Sequence, residues 1–181
     1  MKDSDNTRPS KGWILAFHPD LICGTALGAN IRDYTFFSYR PEEALHVSLR
    51  EKQVILELLD KINQELQRCI DCYSQKIISK YIELLLDYCE RFYERQFITR
   101  NEANKKIIER FDRLLDDHFN TIQSQSSDLP TIEECVRVLR LSPAYFNDLL
   151  EYETGKSYKE YLQSKRFEIA KEWLINTDKP L

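Results

Sequence analysis

Three helix-start signals follow one another closely after residue 130, and they restrict that part of the chain to short helices. Thr131 and Ser157 are each followed three residues later by Glu, and such a pair caps a helix start reciprocally. Ser142 is followed by Pro143, and proline favours the first position of a helix. Gly155 fits the left-handed position that ends the helix begun by Pro143. The pattern predicts a short helix, a tight turn, a second short helix and then a longer one.

This order is typical of a helix-turn-helix, with its turn near Arg140 to Ser142. One small apolar core is predicted from Ile132, Val136, Leu141, Phe146 and Leu150. The second helix then presents its other side outward, at Ala144, Tyr145, Asn147, Asp148 and Glu151. An exposed helix of this size fits the major groove of DNA. Many small helical hairpins share the spacing, so it leaves open that Asn147 and Asp148 are solvated positions and that Tyr145 packs on a neighbouring helix.

Residues 48 to 100 carry a different helical pattern, which predicts a hairpin. A capping box at Ser48 and Glu51 opens the first helix, whose apolar seam is spaced by 4 and 3 at Ile55, Leu59, Ile62, Leu66 and Cys69. The second helix repeats this spacing at Ile78, Ile82, Leu85, Cys89 and Phe92. A surplus apolar stripe consists of Ile77, Tyr81, Leu84 and Tyr88, with Val54 and Leu58 on the first helix. Something must cover this surplus, either residues 1–47 or a second copy of the chain.

A further capping-box candidate at Thr99 and Glu102 predicts a new helix from about residue 100. The segment 1–47 instead has two short runs that predict strands, Trp13–Phe17 and Tyr34–Tyr39, which end at prolines. Two strands do not make a stable sheet alone. This piece therefore either leans on the helices or belongs to a larger β domain. The expected fold is mainly α, with a small irregular or β remnant at the N-terminus.

Composition excludes several classes of protein. The net charge is −4, from 26 basic and 30 acidic residues, which argues against a diffuse nucleic-acid binder. Five cysteines and a polar start without a signal sequence predict reduced thiols and a cytoplasmic protein without a membrane span. Cys69 and Cys72 form one CxxC without a second, so packed thiols are expected rather than a metal site. The sequence shows no catalytic pair or phosphate-binding glycine loop, so we expect neither an enzyme nor a cofactor.

Particular motifs resemble those of AraC/XylS-type transcriptional regulators. LSPAYF enters the second short helix, ETGKS leaves it, and YLQSKRFEIAKEWL lies on the long helix that follows, as in the first helix-turn-helix of that family. GWILAFHPDLI, DYTFFSYRPEEALHVS and RFYERQF resemble the end of its cupin-like sensor domain and its helical dimerisation hairpin. The resemblance implies three parts: a sensor remnant at 1–47, a dimerisation hairpin at 48–100 and a first helix-turn-helix subdomain with connecting helix at 101–181. The family's second unit and sensor barrel are missing, which implies an internal fragment.

The resemblance also implies roles for single residues. Ala144, Asn147 and Asp148 would face base edges, with Tyr145 beside them, and Asn147 suits adenine because its amide can donate and accept. Thr131 and Ser142 would lie near phosphate, because helix N-termini favour anions. Asp148 departs from the family, which often has Arg there. Arg140 also departs, because the turn commonly has Gly or Asn, and a positive φ there costs on the order of 1 kcal/mol.

The sequence therefore predicts a sequence-specific, DNA-binding transcription regulator. It would be a homodimer through the stripe Ile77, Tyr81, Leu84 and Tyr88, together with Leu58. Residues 127–181 hold 8 basic and 10 acidic residues, so binding of double-stranded DNA by this chain alone is expected to be weak. The alternative is a helical protein–protein interaction module without DNA specificity. The effector, the operator and the direction of regulation are not indicated.

Overall fold

The computed structural model describes residues 12–122 and 130–177, and within them the fold is mainly α, as predicted. The α-helices are α1 Ala26–Asn30, α2 Leu49–Leu66, α3 Ser74–Thr99, α4 Asn101–Ile122, α5 Ile132–Leu139, α6 Pro143–Thr154 and α7 Tyr158–Thr177. Three 3₁₀ turns precede α2, at Pro19–Leu21, Thr35–Ser38 and Pro41–Glu43.

The two predicted strands are wrong. Trp13–Phe17 has no regular secondary structure, and the Trp13 and Ile14 side chains are 66% and 93% exposed. Tyr34–Tyr39 contains the 3₁₀ turn Thr35–Ser38 instead of a strand. No strand occurs in the part of the chain that the structure describes. Without a partner strand, the backbone groups of this region pair locally, as in the bond from the Tyr39 N–H to the Phe36 carbonyl.

Helices α2 and α3 pack as the predicted hairpin. Leu58 and Ile62 of α2 are buried, as are Ile78, Ile82 and Leu85 of α3. The capping box at Ser48 is present. The seam ends earlier than predicted, because α2 stops at Leu66, and both Leu66 and Cys69 are exposed.

The N-terminal segment covers one side of the hairpin. Leu27 and Tyr34 are buried in one cluster with the hairpin residues Ile62, Ile78, Ile82 and Leu86. Polar bonds fix the segment, since the Tyr34 hydroxyl donates to Asp87 at 2.6 Å and the Ser79 hydroxyl donates to the Leu21 carbonyl at 2.9 Å. Part of the surplus apolar surface is therefore covered by the chain itself.

Helix α4 follows α3 almost without interruption, so the predicted cap at Thr99 is wrong. Thr99 is the last residue of α3, and Arg100 alone separates the two helices. Thr99 is still helical, whereas an N-cap residue has extended backbone angles, and its hydroxyl donates back to the Gln96 carbonyl. The buried Asn104 side chain donates to the Phe97 carbonyl at 2.9 Å, which ties α4 to the end of α3.

Helices α4 to α7 surround a second core. Its buried members are Phe111, Leu115, Phe119, Cys135, Val136, Leu139, Phe146, Leu150 and Leu162. All five predicted core positions contribute: Val136, Phe146 and Leu150 are buried, and Ile132 and Leu141 pack against them. Residues 123–129 and 178–181, which belong to the predicted subdomain 101–181, lie outside the described residues.

Candidate nucleic-acid interface

The turn between α5 and α6 is built as the caps predict. Thr131 and Glu134 form the reciprocal capping box, with 2.8 Å from the Thr131 nitrogen to the Glu134 carboxylate. These bonds from Thr131 hold the pKa of Glu134 below its usual value. Helix α5 ends at Arg140, which takes the left-handed conformation with φ 61°. The Leu141 N–H closes the turn by donating to the Val136 carbonyl at 3.0 Å. The expected positive φ at a non-glycine residue is therefore present.

Helix α6 also begins and ends where predicted. The Ser142 hydroxyl accepts from the Tyr145 N–H, Pro143 is the first helical residue, and Gly155 ends the helix with φ 68°. Ala144, Asn147 and Asp148 are partly exposed on one side of α6, and Glu151 next to them is exposed. Spacings of three and four residues place these four side chains on one helix face. This face is directed away from the core of α4 to α7.

Tyr145 does not lie on that face, so its predicted outward orientation is wrong in this arrangement. Its side chain is only 4% exposed and contacts Tyr39 and Phe97, with ring centroids 5.1 and 5.4 Å away. A step of one residue turns a side chain by about 100° around a helix, which separates Tyr145 from Ala144. Burial raises the pKa of the Tyr145 hydroxyl.

Ser142 is buried as well, and an anion from the same chain occupies its surroundings. The Glu43 carboxylate accepts from both the Ser142 N–H and the Ser142 hydroxyl, each at 2.6 Å. Glu43 is 4% exposed and also accepts from the Arg40 N–H at 2.7 Å. The position expected to lie near a DNA phosphate thus holds a carboxylate. Sequence reasoning missed Glu43, because the contact joins residues 99 positions apart. Thr131, the other predicted phosphate neighbour, is exposed.

Asp148 is bonded to the N-terminal segment. The Tyr39 hydroxyl donates to the Asp148 carboxylate at 2.7 Å. Burial of Tyr39, followed by this bond and the negative charge of Asp148, raises the pKa of its hydroxyl, so Tyr39 remains a donor at neutral pH. The Tyr39 ring also stacks edge-on against Tyr93 and Tyr145, with both centroid distances 5.1 Å.

A negatively charged cavity lies beside this contact. It has a volume of about 380 Å³, and its carboxylates come from Asp33, Glu90, Glu94, Asp148 and Glu151. Burial, and then the charges of nearby carboxylates, raises the pKa of Glu90. The side of α6 that carries Asp148 therefore faces acidic surroundings, which oppose a polyanion.

Asn147 uses its carbonyl oxygen within the protein. That oxygen accepts from the Tyr158 N–H at 3.2 Å and thereby caps the first turn of α7. The bidentate adenine pair expected for Asn147 needs both the carbonyl and the amide nitrogen. Because the carbonyl oxygen is already used within the protein, this arrangement does not offer both groups of Asn147 to a base.

The predicted dimerisation residues divide into two groups. Leu58 is buried within the chain, and Tyr81 packs against the cluster that contains Leu27, so both are used internally. Leu84 is 42% exposed, and Ile77 and Tyr88 are half-buried. An apolar stripe on α3 therefore remains at the surface, but it is narrower than predicted.

Metal sites and membrane-spanning helices are absent from residues 12–122 and 130–177. No group of three His, Cys, Asp or Glu side chains there is arranged to hold a metal ion. None of the helices in these ranges combines the length and apolar character needed to cross a membrane.

Comparison with known proteins gives one partial similarity. Over 91 residues the chain is 28% identical to the uncharacterized HTH-type transcriptional regulator YtdP of Bacillus subtilis (strain 168). The matched stretch covers 49% of this chain but 12% of that relative, so the chain spans a small part of its length. No family model matches the chain, and neither does any solved structure.

Proposed function

We propose that this chain is part of a transcription regulator that binds DNA through α5, the turn at Arg140 and α6, which together form a helix-turn-helix. The observation that carries the proposal is the partly exposed face of α6. Ala144, Asn147, Asp148 and Glu151 share it, while the opposite side of the same helix packs on a helical core. A short helix supported in this way enters the major groove. The similarity to an HTH-type regulator and the AraC/XylS-like motifs support the same reading. The role is one of binding in the cytoplasm and not of catalysis.

The charges around α6 predict weak binding by this chain alone. Residues 127–181 hold more acidic than basic residues, and Asp148 lies on the face of α6 that is proposed to contact DNA. Affinity for DNA comes largely from Lys and Arg that replace counterions on phosphates. We expect a dissociation constant in the range of non-specific complexes, about 10⁻⁴ to 10⁻⁶ M.

Dimerisation through α3 would compensate for this weak DNA binding, because a dimer carries two copies of α6. We propose that the exposed part of the stripe, Ile77, Leu84 and Tyr88, contacts a second copy of the chain. Leu84→Glu should then abolish self-association in sedimentation velocity, because a charge in an apolar interface is costly. Leu66→Glu is the matched control, since Leu66 is 58% exposed on α2, away from the stripe. If both variants sediment like the wild type, self-association does not use this stripe.

Selection from a pool of random DNA duplexes at low salt tests the DNA-binding proposal. The chain should enrich a sequence motif, and Asn147→Ala should lose preference at one base pair, by less than the ~1–3 kcal/mol of a bidentate pair because the Asn147 carbonyl oxygen is bonded to Tyr158. Asn63→Ala on the exposed surface of α2 is the matched control and should keep the motif. No enrichment by the wild type, or the same motif from Asn147→Ala, would contradict direct reading by α6.

The alternative function is a protein–protein interaction module. The acidic cavity beside α6 favours it, because five carboxylates there disfavour DNA and suit a basic protein surface. On this alternative Asn147→Ala leaves DNA binding unchanged and removes a protein contact. The random-duplex selection separates the two functions, since only the first yields a motif.

A further inference from the structure

The residues 35–43, called here the latch segment, hold α6 from outside its own subdomain. The segment contains the 3₁₀ turns Thr35–Ser38 and Pro41–Glu43 and crosses the N-terminal half of α6. It is attached to α6 at two places, through Glu43 at the first turn and through Tyr39 one turn further on. This attachment rests on side-chain bonds and not on a shared hydrophobic core alone.

The Glu43 carboxylate supplies hydrogen-bond acceptors at the start of α6. The first backbone N–H groups of a helix have no partner within the helix and carry partial positive charge. The carboxylate of Glu43 takes the bonds of Ser142 N–H and hydroxyl and is fixed by the Arg40 N–H. Such charge-assisted bonds are roughly twice as strong as neutral ones. A phosphate that approached Ser142 would have to displace this carboxylate.

The Tyr39 attachment covers one edge of the α6 face that carries Ala144, Asn147, Asp148 and Glu151. Its hydroxyl donates to Asp148, and its ring lies against Tyr145. The carboxylates Asp33, Glu90 and Glu94 line the same cavity as Tyr39 and Asp148, so DNA that approached Asp148 would meet the latch segment and these negative charges. Sterically and electrostatically, this arrangement disfavours DNA.

We infer that the latch segment is an autoinhibitory contact, which holds α6 in a state closed to DNA and must detach before α6 enters the groove. The inference rests on the proposed function and concerns its regulation. Apparent affinity is reduced by the fraction of molecules in the competent state, so weakening the latch raises affinity.

Helix α6 is also held by contacts within its own subdomain that do not involve the latch segment. Phe146 and Leu150 on its other side are fully buried in the core of α4 to α7. Gly155 ends the helix independently of residues 35–43. Detachment would therefore uncover Ser142 and Asp148 and remove Tyr39 from Tyr145, which keeps its contact with Phe97 while the helix-turn-helix stays folded.

Two conservative variants weaken the latch, and each has a matched control in the chain. Tyr39→Phe removes the bond to Asp148 and keeps the ring. Its control is Tyr34→Phe, which removes the same kind of bond, to Asp87 on α3.

Glu43→Gln removes the buried carboxylate. Its control is Glu42→Gln, which removes the neighbouring charge, which is exposed. The full chain is used, with circular dichroism to check its helix content.

Two measurements follow: hydrogen exchange across residues 140–150, and fluorescence anisotropy of a labelled random-sequence duplex at low salt. We expect faster exchange in the first turn of α6, unchanged exchange over 111–119, and DNA binding tighter by about threefold for Tyr39→Phe and about tenfold for Glu43→Gln. Both controls should match the wild type. If Glu43→Gln loses helix content, Tyr39→Phe decides the result.

The failures are distinguishable. Equal exchange and equal DNA affinity in the wild type and both latch variants would overturn the latch while leaving DNA binding intact. An equal gain in affinity for Glu42→Gln and Glu43→Gln would also overturn it, because charge alone would then explain the gain. Faster exchange without duplex binding by any variant would overturn the proposed function, and with it the role of the latch.

Discussion

The rings of Phe111 and Phe146 meet edge to face, with 4.9 Å between their centroids and 74° between their planes. Both side chains are fully buried, and their contact joins α4 to α6. Such a pair contributes both burial of apolar area and a favourable ring geometry. The position of α6 therefore depends on this contact more than on any exposed residue.

Phe146→Ala should lower the free energy of unfolding by about 3–5 kcal/mol, because it leaves a cavity in the core. Urea denaturation followed by circular dichroism measures the loss. Phe167→Ala is the matched control, since the Phe167 side chain is 63% exposed, and it should change stability by less than about 0.5 kcal/mol. Equal losses from the two variants would contradict the core assigned here.

Arg140→Gly should stabilise the protein by up to about 1 kcal/mol. Arg140 holds φ 61° at the end of α5, a conformation that costs other residues energy and costs glycine none. Arg137→Gly, inside the same helix, is the comparison and should destabilise by about 1 kcal/mol. Thermal unfolding of both variants measures the difference, and destabilisation by Arg140→Gly would show that the left-handed turn is absent.

The five thiols should react with Ellman's reagent in two groups. Cys23, Cys69 and Cys72 are exposed, whereas Cys89 is half-buried and Cys135 is buried. Burial raises the pKa of the Cys89 and Cys135 thiols, which lowers the fraction of reactive thiolate. Three thiols should react quickly, and the other two should react at least about tenfold more slowly. Cys72→Ser should remove one thiol from the fast group, and a fast group of any other size would contradict this burial.

The bond between Glu51 and Arg95 should make the stability of the hairpin depend on pH. Burial opposes ionisation of Glu51, but bonds from Ser48 and Arg95 outweigh it and lower its pKa below the ordinary value of 4.5. A lowered folded-state pKa gives stability that is present above the ordinary value and is lost as the pH falls through the folded value.

Glu51→Gln should therefore destabilise the protein at pH 7 by about 1 kcal/mol, a modest amount because the Arg95 side chain is partly exposed. The gap between wild type and variant in urea denaturation should close as the pH falls below 4.5. A gap that stays constant between neutral and acid pH would mean that the charge of Glu51 does not contribute.

The sequence correctly predicted the features that are determined by residues close together in the chain. The caps at Ser48, Thr131 and Ser142 and the left-handed Arg140 all depend on residues within a few positions, and all are present. The exposed face of α6 followed from helical spacing. The capping pattern at Thr99 did not locate a helix boundary, because Thr99 is still helical at the end of α3 and an N-cap residue is not.

Contacts between distant segments were beyond such reasoning. The carboxylate bonded to Ser142 belongs to Glu43, 99 positions away, and the hydroxyl bonded to Asp148 belongs to Tyr39, 109 positions away. Helical spacing alone places Tyr145 on the outer side of α6, but the aromatic residues that enclose it come from residues 35–43 and α3. The strands predicted near the N-terminus failed for the same reason, since strand pairing needs a distant partner.

The joint at Arg100 has a mechanical consequence. Helix α3 has 26 residues and so is about 39 Å long, and the bond from Asn104 to Phe97 stiffens its junction with α4. A tilt of about 5° at the end near Ser74 displaces the opposite end by about 3 Å. Helix α4 begins one residue after α3 and holds Phe111 against Phe146, so a displacement of that size would reach α6. A helix of this length would therefore amplify a small change in angle near Cys72 into a shift of several ångströms at the support of α6.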